Sequence, residues 1–128
     1  MTKKIVATEK APAAIGPYSQ GIQAGGWLFT AMQIALDPAT GQLVGDDVAA
    51  QTARVLDNIA AILESGKSSL SQVVKTFVYL ADMNDFGAMN AVYGRYFPEA
   101  PPARGAAEVA RLPKDALVAI EAVAVVGD

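Results

Sequence analysis

The chain has 128 residues, of which 52% are hydrophobic and 18% charged, and its formal net charge is −3. This length suits a single domain, residues 1–128, that can bury a substantial core. The composition is too apolar for a disordered chain, and its acidity offers no basic surface to nucleic acid. The low content of charged residues suggests that some apolar surface contacts another subunit.

Two residue types that often carry chemistry are absent. The chain has no cysteine, which excludes disulfides and thiol catalysis, and no histidine, which is the usual general base and metal ligand. These absences predict that the protein holds no metal. Two lysines near the start are not followed by an apolar segment, and no segment is long enough to cross a bilayer. We therefore expect a soluble, cytoplasmic protein that does not contact a membrane.

The first part of the chain predicts short strands joined by tight turns. Ile5–Ala7 is a candidate edge strand, Tyr18–Ala24 is a second strand, and Trp27–Leu36 is a third. Gly25-Gly26 predicts a hairpin turn between the last two strands. The segment Asp37-Pro-Ala-Thr-Gly41 predicts another turn, because Asp bonds back to the backbone, Pro fixes φ and Gly accepts a positive φ.

A long helix is predicted from Val48 to about Ser65. Asp46 or Asp47 can cap its start, and Gly66 is placed to end it. Its apolar residues share one stripe with a period of 3.6: Val48, Val55, Ile59 and Ile62.

A second helix is predicted in the later half, starting at Asn84 or Asp85 and stopped by Pro98. Gly87 and Gly94 lie inside it, and each costs about 1 kcal/mol relative to alanine. The strands predicted in this half are Val73–Leu80, Arg104–Ala110 and Leu117–Val126. The order of elements predicts an α+β fold, in which two helices cover one face of a mixed six-stranded sheet. The other face would be bare, and a symmetric oligomer would cover it.

Arg104 is the first candidate for a functional residue. It follows Pro101 and Pro102, whose rings fix φ and stiffen the chain just before a predicted strand. A guanidinium presents a rigid fork of donors that matches a carboxylate. Arg104 is therefore a candidate anchor for a small carboxylate, and the alternative is an ordinary surface arginine.

Several stretches together resemble the RidA (YjgF) family of reactive-intermediate deaminases, and the match covers nearly the whole chain. They are Ala11-Pro-Ala-Ala-Ile-Gly-Pro-Tyr-Ser-Gln20, Asp37-Pro-Ala-Thr-Gly41, Val74-Lys-Thr76, Asp82-Met-Asn-Asp-Phe86, Pro102-Ala-Arg104 and Glu108-Val-Ala-Arg-Leu-Pro-Lys-Asp115.

The resemblance implies a chorismate-mutase-like fold, assembled as a homotrimer with three clefts between subunits. It implies hydrolysis of enamines and imines, such as 2-aminoacrylate, 2-iminopropanoate and 2-iminobutanoate, to 2-keto acids and ammonia. Neither a metal nor an organic cofactor is implied. By the same resemblance Arg104 holds the substrate carboxylate, Tyr18 lines the cleft, and Asn90 is the matching asparagine of the second helix.

The cleft of this chain departs from the family pattern at several positions. Thr30-Ala31-Met32-Gln33 stands where the family has Thr-Ser-Gly-Gln, and Gly105 and Ala106 follow Arg104 in place of Ser or Thr and a small residue. Phe77 replaces threonine or another small residue. These changes make the cleft more apolar. Met32 is either a pocket-filling residue or a core filler at a trimer contact.

Ala119 is the departure with the largest chemical consequence, because the family has at this position a glutamate that activates the hydrolytic water. A general base is typically worth about 10²–10⁴-fold in rate, and alanine cannot accept a proton. Glu121 faces the same side but lies about 6–7 Å further along the strand, so a structural role is favoured for it. The predicted site has Arg104 as its catalytic residue and these substrate-binding residues: Tyr18, Ala31, Met32, Phe77, Asn90, Ala106 and Ala119.

Three hypotheses follow. The first is an active imine deaminase in which positioning by Arg104 suffices for modest acceleration. The second is an engineered or diverged trimeric scaffold that binds a small apolar carboxylate or another ligand in the cleft without the native activity. The third is a cleft redesigned for another reaction, but the sequence shows no added lysine, histidine or carboxylate for it. Nucleic-acid roles attributed to the family find no support in an acidic chain.

Overall fold

Local sequence patterns account for most of the helices and strands. The computed structural model describes residues 2–127. Its elements are β1 (Lys3–Val6), β2 (Gly21–Ala24), β3 (Trp27–Thr30), α1 (Val48–Ser65), β4 (Val73–Leu80), α2 (Phe86–Tyr96), β5 (Ala103–Glu108) and β6 (Val118–Val125). The 3₁₀ turns are Leu70–Gln72, Met83–Asp85 and Pro113–Asp115. α1 and β4 have the bounds that the sequence predicts.

The six strands form one sheet in the order β1-β2-β3-β6-β4-β5. β4 and β5 run parallel, and every other neighbouring pair is antiparallel. Because β6 is antiparallel to both β3 and β4, those two strands also share a direction. α1 connects β3 to β4, and α2 connects β4 to β5. The predicted α+β fold with a mixed sheet is confirmed.

The main core lies between the two helices and one face of the sheet. Leu56, Ile59 and Ile62 of α1 are fully buried, as are Leu28 of β3 and Ile120 of β6. Asp47 caps α1 by accepting a hydrogen bond from the backbone N–H of Ala50 at 2.8 Å. The cap fixes where α1 begins, and its apolar stripe fixes which side faces the sheet.

The second face of the sheet carries no helix. Trp27 and Phe29 on this face are 46% and 45% exposed, and Ile5 is 69% exposed. Phe77 and Tyr79 of β4 lie on the same face, with ring centroids 4.8 Å apart. We call this surface the open sheet face. Among the described residues, none of the helices combines the length and apolarity needed to cross a membrane.

Two predicted strands extend too far along the chain. β2 begins at Gly21 rather than Tyr18, and β3 ends at Thr30 rather than Leu36. Beyond Thr30 the chain no longer pairs continuously with β6. One isolated bridge remains there, between Gln33 and Ile120. Gln20, just before β2, uses its side chain to donate hydrogen bonds to carbonyl oxygens of the preceding loop. The limits of β1, β5 and β6 differ from the predictions by only one or two residues, where strand ends usually fray.

The start of α2 agrees with the prediction, since Asp85 occupies its N-cap position and the helix begins at Phe86. Asp82 accepts a hydrogen bond from the backbone N–H of Asn84 at 2.9 Å and begins a 3₁₀ turn over Met83–Asp85. α2 follows at Phe86, and the side chain of Asp85 makes no capping bond. The side-chain capping bond therefore belongs to the preceding 3₁₀ turn and not to α2.

Gly94→Ala should raise the free energy of unfolding by about 0.5–1 kcal/mol, because glycine inside a helix loses more backbone entropy on folding than alanine. A Cβ added at Gly94 would meet no atom within 4 Å. Gly66→Ala is the contrasting variant, since its Cβ would lie 2.3 Å from Cδ1 of the buried Leu28. Urea unfolding should show stabilisation by the first change and destabilisation by the second. Destabilisation by Gly94→Ala would mean that α2 needs a glycine there for another reason.

Candidate functional site

Arg104 lies on the edge strand β5, on the face of the sheet that α2 covers. Its Nη1 donates a hydrogen bond to Oδ1 of Asn90 at 2.7 Å. The guanidinium carbon lies 4.7 Å from the ring centroid of Tyr93 and 5.3 Å from that of Phe86. Within residues 2–127 the only ion pair joins Arg111 to Asp115, so Arg104 has no carboxylate partner there. Its remaining donors can therefore receive an anion.

The Arg104 groove is the surface depression of about 410 Å³ around this side chain. Its lining comprises Arg104, Asn90, Tyr93, Gly94, Phe97, Pro101 and Pro102. The two prolines lead directly into β5 and form the wall opposite α2. The absence of a side chain at Gly94 keeps the wall formed by α2 low.

Tyr93 supports Arg104 from below. Its hydroxyl lies 2.6 Å from the hydroxyl of Thr76 on β4, and both groups are buried. Burial raises the pKa of Tyr93, while the bond to Thr76 and the positive charge of Arg104 lower it in part. Tyr93 therefore remains a neutral phenol whose ring face is turned to a cation. Sequence reasoning did not identify this role of Tyr93.

A second concave surface, the Tyr18 cavity, lies between the loop 11–18 and the segment 31–36 that follows β3. Its volume is about 490 Å³. Tyr18, Ala31 and Met32 line it, together with Ile34 and Lys114. The backbone N–H of Ala31 donates to the carbonyl oxygen of Gln20 at 2.7 Å, which joins its two walls. The thioether of Met32 faces this cavity.

Phe77 and Gly105 meet on the open sheet face, where the register places them opposite each other on β4 and β5. A Cβ built on Gly105 would lie 2.5 Å from Cε2 of Phe77, closer than real side chains approach. Two departures from the family pattern thus form one packing unit. Ala106 points to the other side of β5, the side of Arg104, and packs against the main core.

Ala119 is fully buried in a small cluster with Leu112 and Ala116. It pairs with Tyr79 of β4, and Glu121 pairs with Phe77 two residues further along. Burial raises the pKa of the Tyr79 hydroxyl, and the negative charge of Glu121 raises it further. Glu121 therefore faces the open sheet face, where it lines neither the Arg104 groove nor the Tyr18 cavity.

The single chain divides the predicted site residues into three groups. Arg104 and Asn90 share the first groove, and Ala106 lies beside Arg104 on the same face. Tyr18, Ala31 and Met32 share the cavity. Phe77 and Ala119 lie on the opposite side of the sheet from Arg104. In the described part of the chain, no group of three or more acidic, histidine or cysteine side chains could hold a metal ion.

Comparisons with known proteins agree with this architecture. The family model described as endoribonuclease L-PSP matches residues 8–126. The RutC family protein PYRAB12510 of Pyrococcus abyssi is 56% identical over 97% of this chain and 98% of its own. The 2-iminobutanoate/2-iminopropanoate deaminase of Escherichia coli is 50% identical over 95% of this chain and 97% of its own. The crystal structure of the E. coli YjgF gene product matches with a TM-score of 0.91 at 48% identity, covering 95% of this chain and 98% of that one.

Proposed function

This chain belongs to the RidA (YjgF) family, and on that premise we propose that it hydrolyses reactive 2-imino acids and their enamines to 2-keto acids and ammonia. The observation that carries the proposal is the Arg104 guanidinium, which has no carboxylate partner among the described residues and is held by Asn90 and Tyr93. The name of the E. coli relative supports the substrate class. The acidic composition of the chain does not favour RNA as a substrate.

In the proposed reaction Arg104 binds the substrate carboxylate through two parallel hydrogen bonds, and Asn90 keeps the guanidinium oriented. Water adds to C2 of the imine, its oxygen forming the new bond while a proton passes to the nitrogen. The hydroxyl group of this carbinolamine then gives its proton to the amino nitrogen, the C–O bond becomes a carbonyl as the C–N bond breaks, and ammonia and the 2-keto acid are released. An enamine first takes a proton on its terminal carbon and loses one from its nitrogen, which gives the imine. Fixing the substrate lowers the barrier even without a side-chain base.

We further propose that the working site forms in a homotrimer. The Arg104 groove and the Tyr18 cavity have no lining residue in common, so one chain supplies two separate halves of a site. β5 is an edge strand, and a neighbouring subunit beside it can bring its own Tyr18, Ala31 and Met32 towards Arg104. The exposed aromatic side chains of the open sheet face would be covered in the same assembly.

A second candidate function is carboxylate binding without hydrolysis, in a diverged or engineered scaffold. The observation that favours it is Ala119, which is fully buried and offers no proton acceptor where the family has glutamate. Neither the groove nor the cavity has an acidic side chain in its lining. Under this candidate the protein would bind 2-keto acids and leave the lifetime of imines unchanged.

A coupled assay separates the two candidates. A serine dehydratase generates 2-aminoacrylate, and the loss of this intermediate is followed with and without the protein, after its trimeric state has been checked. We expect measurable acceleration by the natural chain and an increase of about 10²-fold for Ala119→Glu, because a positioned base typically contributes this much. Ala119→Gln is the matched control, since it has the same size and cannot accept the proton.

No acceleration by a folded trimer would favour the non-hydrolytic candidate. Equal rates for the glutamate and glutamine variants would show that a base at position 119 cannot reach the reacting carbon in this cleft. Thermal unfolding of both variants controls for loss of folded protein, because the new side chain occupies the same buried position in each.

A further inference from the structure

Next to the Arg104 guanidinium lies a pair of buried hydroxyl groups, on Thr76 and Tyr93. We propose that these two residues form a positioning unit, in which the bond between their hydroxyl groups sets the orientation in which Arg104 receives a carboxylate. Thr76 lines no part of the Arg104 groove and acts only through Tyr93. The inference rests on the proposed function, because it explains how the carboxylate anchor of that function is held ready.

The strand register and α2 bring the three side chains together. Thr76 stands directly opposite Arg104 in the parallel pairing of β4 and β5, so both side chains leave the same face of the sheet. The Tyr93 ring reaches this face from α2. Its hydroxyl lies 2.6 Å from that of Thr76, and its centroid lies 4.7 Å from Cζ of Arg104. The ring therefore connects the side chains of two neighbouring strands.

Thr76 is a firm point of attachment for the ring. It is 1% exposed, and β4 is hydrogen-bonded to a strand on each side, β6 and β5. Its branched Cβ restricts the first side-chain torsion. Arg104, by contrast, is the second residue of an edge strand that pairs on one side only. The bond between the hydroxyl groups therefore extends the order of an interior strand to an arginine at the edge of the sheet.

The Tyr93 ring has little freedom of its own. It is 4% exposed, and its centroid lies 4.7 Å from that of Phe97 at the end of α2. Within residues 2–127 its hydroxyl has Thr76 as its only hydrogen-bond partner. Breaking that bond would leave two buried hydroxyl groups unsatisfied, which costs more than the bond itself contributes to stability. The ring is therefore kept in one orientation.

This orientation leaves a carboxylate-binding edge of Arg104 free. The Tyr93 ring fixes the plane of the guanidinium, and Oδ1 of Asn90 fixes its rotation within that plane by accepting from Nη1. Nε and Nη2 form a different edge and have no hydrogen-bond partner in the described part of the chain. Two N–H groups on one edge match the two oxygens of a carboxylate. Because the Asn90 bond is exposed to water, the buried hydroxyl pair is the more persistent constraint.

The test removes each hydroxyl group and keeps the shape of the side chain. Tyr93→Phe and Thr76→Val should each weaken the binding of 2-oxobutanoate about five- to tenfold in isothermal titration, because a guanidinium that is free to tilt must be ordered on binding. Thr76→Ser loses a buried methyl group but keeps the hydroxyl, so it should bind within about twofold of the unchanged chain. In imine hydrolysis the loss should appear in KM and not in kcat, since the carboxylate is bound throughout the reaction.

Tyr96→Phe is the matched control. It removes a tyrosine hydroxyl from the same helix, one that donates to Oδ1 of Asp57 at 2.9 Å and to the carbonyl oxygen of Ala53 at 3.2 Å. Tyr96 does not line the Arg104 groove. This variant should lose stability in urea unfolding and still bind 2-oxobutanoate within about twofold, because distant sites act independently.

The double variant Tyr93→Phe/Thr76→Val separates positioning from folding. Apolar groups of similar shape replace both hydroxyl groups, so no buried polar group is left unsatisfied and stability should recover. The affinity for 2-oxobutanoate should stay as low as in the single variants, because the bond that orients the ring is still absent.

The orientation of Arg104 can also be measured without a ligand. Nitrogen-15 NMR of the guanidinium group reports rotation about the Nε–Cζ bond, and Arg104→Lys assigns the signals. Rotation should be slow in the unchanged chain and several times faster in Tyr93→Phe. The exposed Arg95, which does not line the groove, should rotate fast in both and serves as the internal reference.

The outcomes separate this inference from the proposed function. Unchanged affinity in both single variants, or full recovery of affinity in the double variant, would overturn the positioning unit and leave Arg104 as the carboxylate anchor. If Arg104→Ala still bound 2-oxobutanoate, the proposed function would fail, and the rotation rate of Arg104 would still decide whether the hydroxyl pair orients the guanidinium.

Discussion

Arg104→Ala should weaken the binding of 2-oxobutanoate more than a hundredfold and remove most of the imine hydrolysis. The change deletes two charge-assisted hydrogen bonds, each worth about 1.5–3 kcal/mol. The affinity of Arg104→Lys for 2-oxobutanoate should lie between those of the unchanged chain and Arg104→Ala, because lysine keeps the charge and loses the planar fork that matches a carboxylate. Isothermal titration with 2-oxobutanoate measures the first effect, and the coupled assay measures the second.

Arg95→Ala provides the matched control for this experiment. Arg95 is an exposed arginine in the last turn of the same helix that carries Asn90, and it does not line the Arg104 groove. Its removal makes the net charge more negative by the same single unit and should leave binding within about twofold, since exposed charges contribute little. Binding that survives in Arg104→Ala, or is lost equally in both variants, would refute the role of Arg104 as the carboxylate anchor.

Gly105→Ala should be among the most destabilising single methyl additions in this chain. The new Cβ would lie 2.5 and 2.7 Å from two ring atoms of Phe77, and the ring is itself packed against Tyr79. Overpacking of this kind costs about 1–3 kcal/mol, and we expect the upper end because the neighbouring atoms belong to a bulky ring on a paired strand. Urea unfolding gives the free energy directly.

A double-mutant cycle identifies the cause. Phe77→Ala removes the ring, so adding Gly105→Ala to it should cost much less than adding it to the natural chain, with a coupling free energy of at least about 1 kcal/mol. Gly26→Ala is the control, because its Cβ would meet no atom within 4 Å. Additive effects of the two changes would show that position 105 requires glycine for its backbone and not for the Phe77 ring.

Local patterns in the sequence were sufficient for much of the fold. The bounds of α1 follow from an apolar stripe between Asp47 and Gly66, and those of β4 follow from a segment that is apolar except at Lys75 and Thr76. Such signals depend on residues a few positions apart, and they act in the same way in any tertiary context. The segment after β3 was mispredicted for the opposite reason. Its apolar residues line a cavity and lie against α1. A buried strand would have the same apolar composition, so composition alone could not distinguish the two.

The candidate site was predictable only in part. The fork of donors on Arg104 is a property of the residue, and its stiff approach through two prolines is visible in the sequence. Its stacking on Tyr93 and its bond to Asn90 require α2 to cross over β5, which no local pattern specifies. The residue types were therefore apparent, while their contacts were not.

The sequence by itself determined the α+β class, the long helix, the family resemblance and the arginine that would bind a carboxylate. Only the tertiary structure decided that β6 enters the sheet between β3 and β4, which puts Ala119 against Tyr79 and Gln33 against Ile120. It also decided that Phe77 excludes a side chain at Gly105 and that Met32 faces a cavity. These features depend on strand order and register between distant segments, and long-range pairing leaves no periodic signal in either segment alone.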